Sequence, residues 1–132
     1  MADKLIIDWK QYNLIVEKLA VQIYKSGFKP DMLIGIMRGG APIIDVLSRV
    51  FKLKCAYLAV ESYSGEGTED QQGELVFSRE MSSTVQEMKG NFLLCDDLSD
   101  TGVTLNKSID WLRKYPPLQG NIKDIKTAVL WK

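Results

Sequence analysis

Apolar and polar positions along the chain alternate between two rhythms. Leu14, Ile15, Leu19, Val21 and Ile23 recur at near-helical spacing, which predicts a first helix that Ser26 and Gly27 stop. Asp8 and Gln11 form a capping box just ahead of it. Met32, Leu33, Ile34, Gly35 and Ile36 then form a short continuous apolar run, the pattern of a strand buried on both faces. It empties into Met37-Arg38-Gly39-Gly40, after which residues 41–51 read as a second helix with Pro42 in its first turn. Residues 55–60 predict the next strand. A third buried-type strand spans residues 91–95, a helix spans residues 103–115 up to Pro116-Pro117, and residues 124–131 give the last strand.

Between these periodic segments the composition changes once, abruptly. Ser, Gly, Thr, Asp and Gln dominate residues 61–73, and a polar loop this long inside a compact domain tends to be functional. Residues 74–77 suit a short strand, and the charged stretch that follows, through Lys89, has no clear period. Strands that alternate with helices, joined by connections too long for simple hairpins, predict a three-layer, doubly wound α/β fold with a mainly parallel sheet. No repeat, low-complexity tract or linker interrupts residues 1–132, so one domain is expected.

Composition narrows the chemistry. Seventeen basic and seventeen acidic residues cancel, which leaves no electrostatic footprint for nucleic acid or an anionic membrane. The apolar runs are too short to span a bilayer and no signal-peptide pattern opens the chain, so a cytoplasmic protein is expected. The chain has no histidine, which excludes imidazole metal sites and Ser-His or Cys-His catalysis. Cys55 and Cys95 fall inside apolar runs and read as a pair of buried thiols.

The most informative stretch follows the third long strand. Apolar Phe92-Leu93-Leu94-Cys95 gives way to Asp96-Asp97-Leu98-Ser99-Asp100-Thr101-Gly102-Val103-Thr104 and then to a helical pattern. Backbone N–H groups from Thr101 to Thr104 lie at a helix start, where they lack intrahelical partners and the dipole favours an anion. Thr101 and Thr104 add hydroxyl donors, and Gly102 lets the backbone approach closely. Three aspartates beside a phosphate site make sense when the ligand also presents hydroxyls, a divalent cation or a developing positive charge. A phosphorylated sugar with Mg²⁺ supplies all three. A lone Asp-Asp pair ordinarily does no more than start a helix, but here strand, acids, Thr-Gly-x-Thr and helix agree.

Residues 92–105 resemble the phosphoribosyl-pyrophosphate signature of the type I phosphoribosyltransferases. The Met37-Arg38-Gly39-Gly40 turn resembles that family's pyrophosphate loop, Ser62-Tyr63 opens what resembles its mobile loop, and Ile7-Asp8-Trp9 is similar to the start of bacterial xanthine-guanine enzymes and their archaeal relatives. The resemblance implies a Mg²⁺-dependent transfer of the 5-phosphoribosyl group from phosphoribosyl pyrophosphate to a 6-oxopurine. It implies that Asp96 and Asp97 engage the ribose hydroxyls, with Asp97 touching Mg²⁺ through water. Asp100 then faces the base as proton acceptor or electrostatic stabiliser, and Asp100, Thr101, Gly102, Val103 and Thr104 hold the 5-phosphate. Arg38 and Gly39 present backbone N–H groups to the pyrophosphate, with a cis bond implied between Met37 and Arg38. Tyr63 packs over the substrate, and a homodimer or homotetramer is implied.

The sequence departs from the family in places. Met37 replaces a serine of close relatives, and Val103 stands where some have a second glycine. Lys132 matches the lysine that reads the exocyclic oxygen of a 6-oxopurine, yet the hood segment that follows it in relatives is absent here, and a terminal lysine is more often frayed than functional. Either the chain is a shortened one or it lacks the usual base site. A non-catalytic module of the same fold that senses phosphoribosyl pyrophosphate or a nucleotide is therefore the competing expectation. An unrelated phosphoacceptor or nucleotide-binding domain fits less well, since no P-loop and no Gly-x-Gly-x-x-Gly occurs.

Overall fold

The computed structural model describes residues 9–63, 74–83, 87–98 and 102–131. Helix α1 (Trp9–Ser26) leads to strand β1 (Met32–Met37), α2 (Ala41–Phe51) and β2 (Lys54–Tyr63). Two short strands, β3 (Glu74–Phe77) and β4 (Ser82–Ser83), come next, followed by β5 (Gly90–Leu98), α3 (Val103–Lys114), a 3-10 turn (Pro116–Leu118) and β6 (Ile122–Trp131). The strand order is β3-β2-β1-β5-β6, with β4 also paired to β2. The four long strands run parallel, while β3 and β4 are antiparallel to β2 at one edge. The fold is thus mainly parallel α/β, as the pattern of elements requires.

Side chains alternate across a strand, and here the alternation sorts the core into two layers. Met32, Ile34, Ile36, Phe92 and Leu94 face α3, where they meet Leu105, Leu112, Met81 and Met88. Leu33, Leu93 and Cys95 face the opposite side and pack on Val16, Leu19, Ala20 and Ile23 of α1 and on Ile43, Ile44 and Leu47 of α2. Helices therefore cover both faces of the sheet. Trp111 extends the α3 layer by stacking on Tyr115 at 4.6 Å and on Phe77 at 6.3 Å.

Several sequence expectations need correction. The inward stripe of α1 is Val16, Leu19, Ala20 and Ile23, whereas Leu14 and Val21 are each half exposed. The set 16, 19, 20, 23 follows the i, i+3, i+4, i+7 rule, and the other two residues fall on the opposite side of the helical wheel. Strand β2 continues through Glu61 and Ser62 to Tyr63, so the polar segment begins later than composition implies. Backbone pairing of residues 60–63 with residues 77–74 of β3 holds those polar residues extended. That antiparallel pair also shows that one connection does join neighbouring antiparallel strands. Of the two free thiols only Cys95 is buried; Cys55 is half-buried, with its Sγ 3.7 Å from the Tyr57 hydroxyl.

The β1–β5 seam carries a clasp at its amino end. The Asn91 N–H donates to Asp31 Oδ2 at 2.7 Å, and the Asp31 N–H donates to the Asn91 carbonyl at 2.7 Å. This pairing sets the register in which β1 and β5 reach the other end of the sheet together. Among the described residues no helix is long and apolar enough to cross a membrane.

Candidate active site at the carboxyl ends of strands β1 and β5

In an open parallel sheet, ligands bind beyond the carboxyl ends of the strands at the point where the winding reverses. Here β1 leads through α2 to β2 on one side, while β5 pairs with β1 on the other. The reversal lies between β1 and β5, so the turn after β1 and the end of β5 adjoin each other.

The turn is tight. The Met37–Arg38 peptide bond is cis, the Gly40 N–H donates to the Ile36 carbonyl at 2.7 Å, and the Ala41 N–H donates to the Arg38 carbonyl at 3.1 Å. Gly40 then caps α2, with Pro42 in the first turn. Neither glycine can carry a side chain in this arrangement. A Cβ on Gly40 would sit 2.5 Å from the Cys95 carbonyl oxygen, and one on Gly39 would overlap the Asp97 carboxylate. Arg38 itself is exposed. Beside the turn an open cleft of about 800 Å³ is lined by Met37, Arg38, Gly39, Val60, Phe77 and Ser78, among others.

The acids occupy a different place from the one their composition implies. β5 runs on through Asp96 and Asp97 to Leu98, because β6 continues to pair with it at Asp96–Val129 and Leu98–Trp131. Both acids are therefore strand residues, and alternation sends them to opposite faces of the sheet. Asp96 follows Phe92 and Leu94 toward α3. Asp97 follows Leu93 and Cys95 toward the α1/α2 side, which is where the Gly39 contact finds it.

Their environments differ accordingly. Asp96 is 8% exposed, and its Oδ1 accepts the Asp97 N–H at 2.8 Å. Burial pushes its carboxyl up to about 7; the backbone hydrogen bond opposes that rise, and the neighbouring Asp97 adds to it. Asp97 is only half-buried. The buried Cys95 thiol is pushed up to about 12, first by desolvation and then by the charge of Asp96, so it stays protonated and inert.

At the helix that follows, Gly102 is the N-cap with φ of 78°, a left-handed conformation that disfavours a side chain. Its carbonyl accepts the Asn106 N–H at 2.9 Å and opens α3. Val103 and Thr104 form the first turn, with Val103 46% exposed. Asp100, Thr101 and Lys132 lie outside the described residues, and so does the Tyr63 side chain; its backbone closes β2 opposite Glu74. The structure thus brings Arg38, Gly39 and Asp97 together, with Asp96 behind them and Gly102, Val103 and Thr104 on the helix that leaves the same end of the sheet.

Sequence reasoning missed Tyr12. Helix α1 ends just before β1 begins, so it runs antiparallel to the strands and its first turn stands at their carboxyl ends. Tyr12 packs there against the layer that contains Cys95 and meets Trp9 edge-on at 5.7 Å. Its phenol is held above its ordinary value, first by burial and then by the negative charge of Asp97. The available signal was Tyr12 itself, in line with Val16, Leu19 and Ile23 on the inward stripe.

Residues 5–132 match the family model of the phosphoribosyl transferase domain. The chain belongs to that family. Its fold is similar to a purine phosphoribosyltransferase from Pyrococcus horikoshii, with a TM-score of 0.74 and 27% identity over 97% of this chain and 77% of that one. A xanthine-guanine-hypoxanthine phosphoribosyltransferase from Helicobacter pylori shares the fold at a TM-score of 0.65 and 16% identity, over 94% of this chain and 89% of that one. A protein from Neisseria gonorrhoeae with bound ppGpp shares it at a TM-score of 0.76 and 19% identity, over 98% of this chain and 71% of that one. No curated protein matches the sequence. The switch point between β1 and β5, where the Arg38-Gly39-Gly40 turn meets Asp97, thus lies within the residues that match this family.

Proposed function

We propose that this protein transfers the 5-phosphoribosyl group of phosphoribosyl pyrophosphate to a 6-oxopurine, forming the nucleoside monophosphate and releasing pyrophosphate. The observation that carries the reading is the contact of the Arg38-Gly39-Gly40 turn with the Asp97 carboxylate across the winding reversal. One side offers backbone N–H groups to an anion, and the other offers a carboxylate to hydroxyls and to positive charge. A phosphoribosyl group bearing pyrophosphate needs both within a few ångströms.

In this reading Arg38 and Gly39 hold the pyrophosphate and Asp97 takes a ribose hydroxyl. Asp96 assists; it carries a proton below about pH 7, so it can donate as well as accept. Gly102, Val103 and Thr104, with Asp100 and Thr101, bind the 5-phosphate at the start of α3. Asp100 faces the base, Tyr63 covers the substrate, and Lys132 reads the exocyclic oxygen of the purine. As a nitrogen of the base forms its bond to the anomeric carbon, the bond to the pyrophosphate oxygen breaks and the nitrogen gives up its proton. Positive charge on the ribose rises in between, and the carboxylates favour it.

The donor set fits Mg²⁺ of a particular kind. Among the described residues no cluster of three or more His, Cys, Asp or Glu side chains closes around an ion. An ion held mainly by substrate phosphates and water needs only one or two carboxylates, and half-buried Asp97 supplies one. When bound, Mg²⁺ neutralises charge that accumulates on the departing pyrophosphate.

The test is nucleotide formation from phosphoribosyl pyrophosphate with guanine, xanthine or hypoxanthine, with and without Mg²⁺. Activity with at least one base is expected, reduced about 100-fold or more in Asp97→Ala, in keeping with loss of electrostatic stabilisation. Binding of phosphoribosyl pyrophosphate with no turnover of any base would overturn the reading. That result would favour a second one, a nucleotide-binding module of the same fold without catalysis, for which the Neisseria gonorrhoeae fold relative with bound ppGpp is the motivating observation.

A further inference from the structure

We infer that Trp111 is a positioning residue: by stacking on Phe77 it fixes the spacing between the start of α3 and the β2/β3 ribbon, and so between the two ends of a substrate that must reach both. The inference rests on the assignment of the site to phosphoribosyl pyrophosphate and adds a residue that neither signature motif contains.

Three placements carry it. Pairing of β1 with β2 ends at Met37–Ala59, whereas β2 goes on from Val60 to Tyr63 with β3 as its partner. The Ser78 N–H closes that ribbon by donating to the Ala59 carbonyl at 2.9 Å. The ribbon therefore stands beyond the end of β1 as a wall beside the turn, and Val60, Phe77 and Ser78 line the same cleft of about 800 Å³ as Arg38 and Gly39. Phe77 in turn stacks on Trp111, with ring centroids 6.3 Å apart and planes 14° from parallel. Trp111 stacks on Tyr115 at 4.6 Å, and the Tyr115 hydroxyl accepts the Met81 N–H at 3.3 Å, so the chain after the ribbon is tied to the end of the same helix.

Helix α3 thereby carries two reference points. Its first turn, at Val103 and Thr104, is the proposed holder of the 5-phosphate, and Trp111 follows Val103 by about 12 Å along the axis. Intrahelical hydrogen bonds keep that length constant, so whatever Trp111 grips is held at a set distance from the first turn. A sugar with phosphate at one end and pyrophosphate at the other gains from a fixed span, because no binding energy is lost in ordering the protein's own parts. A stacked aromatic pair suits the task, since its geometry has a preferred distance and tilt.

The test is calorimetric affinity for two ligands in excess Mg²⁺: phosphoribosyl pyrophosphate, which spans both places, and inorganic pyrophosphate, which needs the turn alone. The thermal midpoint of each variant is recorded alongside, and binding is measured well below it. Trp111→Ala is expected to bind phosphoribosyl pyrophosphate about tenfold more weakly, and inorganic pyrophosphate within about threefold of the unmodified chain. Trp111→Phe, which can still stack, is expected to recover most of the loss. Phe77→Ala should reproduce the effect, and adding it to Trp111→Ala should cost less than about twofold more, because residues that act through one another are not additive. Where Trp111→Ala does not fold, Trp111→Leu takes its place. Equal losses for the two ligands, or no loss for either, would overturn the inference while leaving the site assignment standing. If the unmodified chain fails to bind one ligand or the other, the site assignment falls and the inference with it.

Discussion

A Cβ on Gly39 would overlap the carboxylate of Asp97, so the turn after β1 and the end of β5 are fitted to each other without room for one more methyl group where they now stand. Replacing Gly39 by Ala must therefore displace either the acid or the turn. Gly39→Ala is expected to weaken binding of phosphoribosyl pyrophosphate about tenfold or more, a change of about 1.4 kcal/mol. Calorimetry on the folded variant checks this. Affinity within twofold of the unmodified chain would show that Asp97 has other positions to occupy.

Asp96 links stability to pH. Its carboxyl is raised to about 7 by burial, against about 3.9 in an unfolded chain. Below the lower value both states are protonated and the advantage of the folded state is complete. As pH rises toward and through 7 the unfolded chain has already lost its proton while the folded chain is only losing its own, so that contribution declines and then levels off. The stability difference between the unmodified chain and Asp96→Asn, followed by urea denaturation from about pH 5 to pH 8, should move in favour of Asn across that window. A difference that is flat with pH would contradict the raised value.

The clasp at the other end of the seam is a structural prediction. Asp31→Ala removes the acceptor for the Asn91 N–H; the bond is solvent-exposed, so water takes its place and the net loss is about 0.5–1.5 kcal/mol. Equilibrium unfolding should show a loss in that range. Since the clasp sets how β1 and β5 align, the variant should also bind phosphoribosyl pyrophosphate more weakly than its stability loss at saturating folding conditions would explain.

Leu47 is fully buried beneath α2, the helix that begins at the Gly39-Gly40 turn. Leu47→Ala is expected to destabilise the fold by about 2–5 kcal/mol through lost burial and the cavity left behind. Urea titration measures this directly. A cost below about 1 kcal/mol would mean that α1 and α2 can collapse onto the vacated space.

Much of the fold was legible because the four long strands and three helices among the described residues each repeat an apolar period. The continuous apolar runs at Met32 and Phe92 pointed to strands covered on both faces, and both strands lie between helical layers. Local signals failed where pairing overrides them. Aspartate is uncommon in strands, so Asp96 and Asp97 read as loop, yet the register with β6 carries β5 past them. β4 is two residues long and owes its form to Ala56 and Tyr57 of β2 rather than to any pattern of its own. In the candidate site, Asp97 and the Arg38-Gly39-Gly40 turn were legible as motifs. Tyr12 was not, because its meaning comes from the antiparallel run of α1 over the sheet, and a core tyrosine on an amphipathic helix looks the same in sequence.

Opposite placement of two consecutive acids makes this centre sensitive to reading frame in the literal sense. One residue inserted or deleted between Phe92 and Asp96 would turn the strand over relative to its neighbours. The solvated carboxylate would then be driven under α3 and the proton-retaining one set against Gly39, although composition and motif would be almost unchanged. Variation in this stretch can accordingly exchange one side chain for another far more readily than it can change the count.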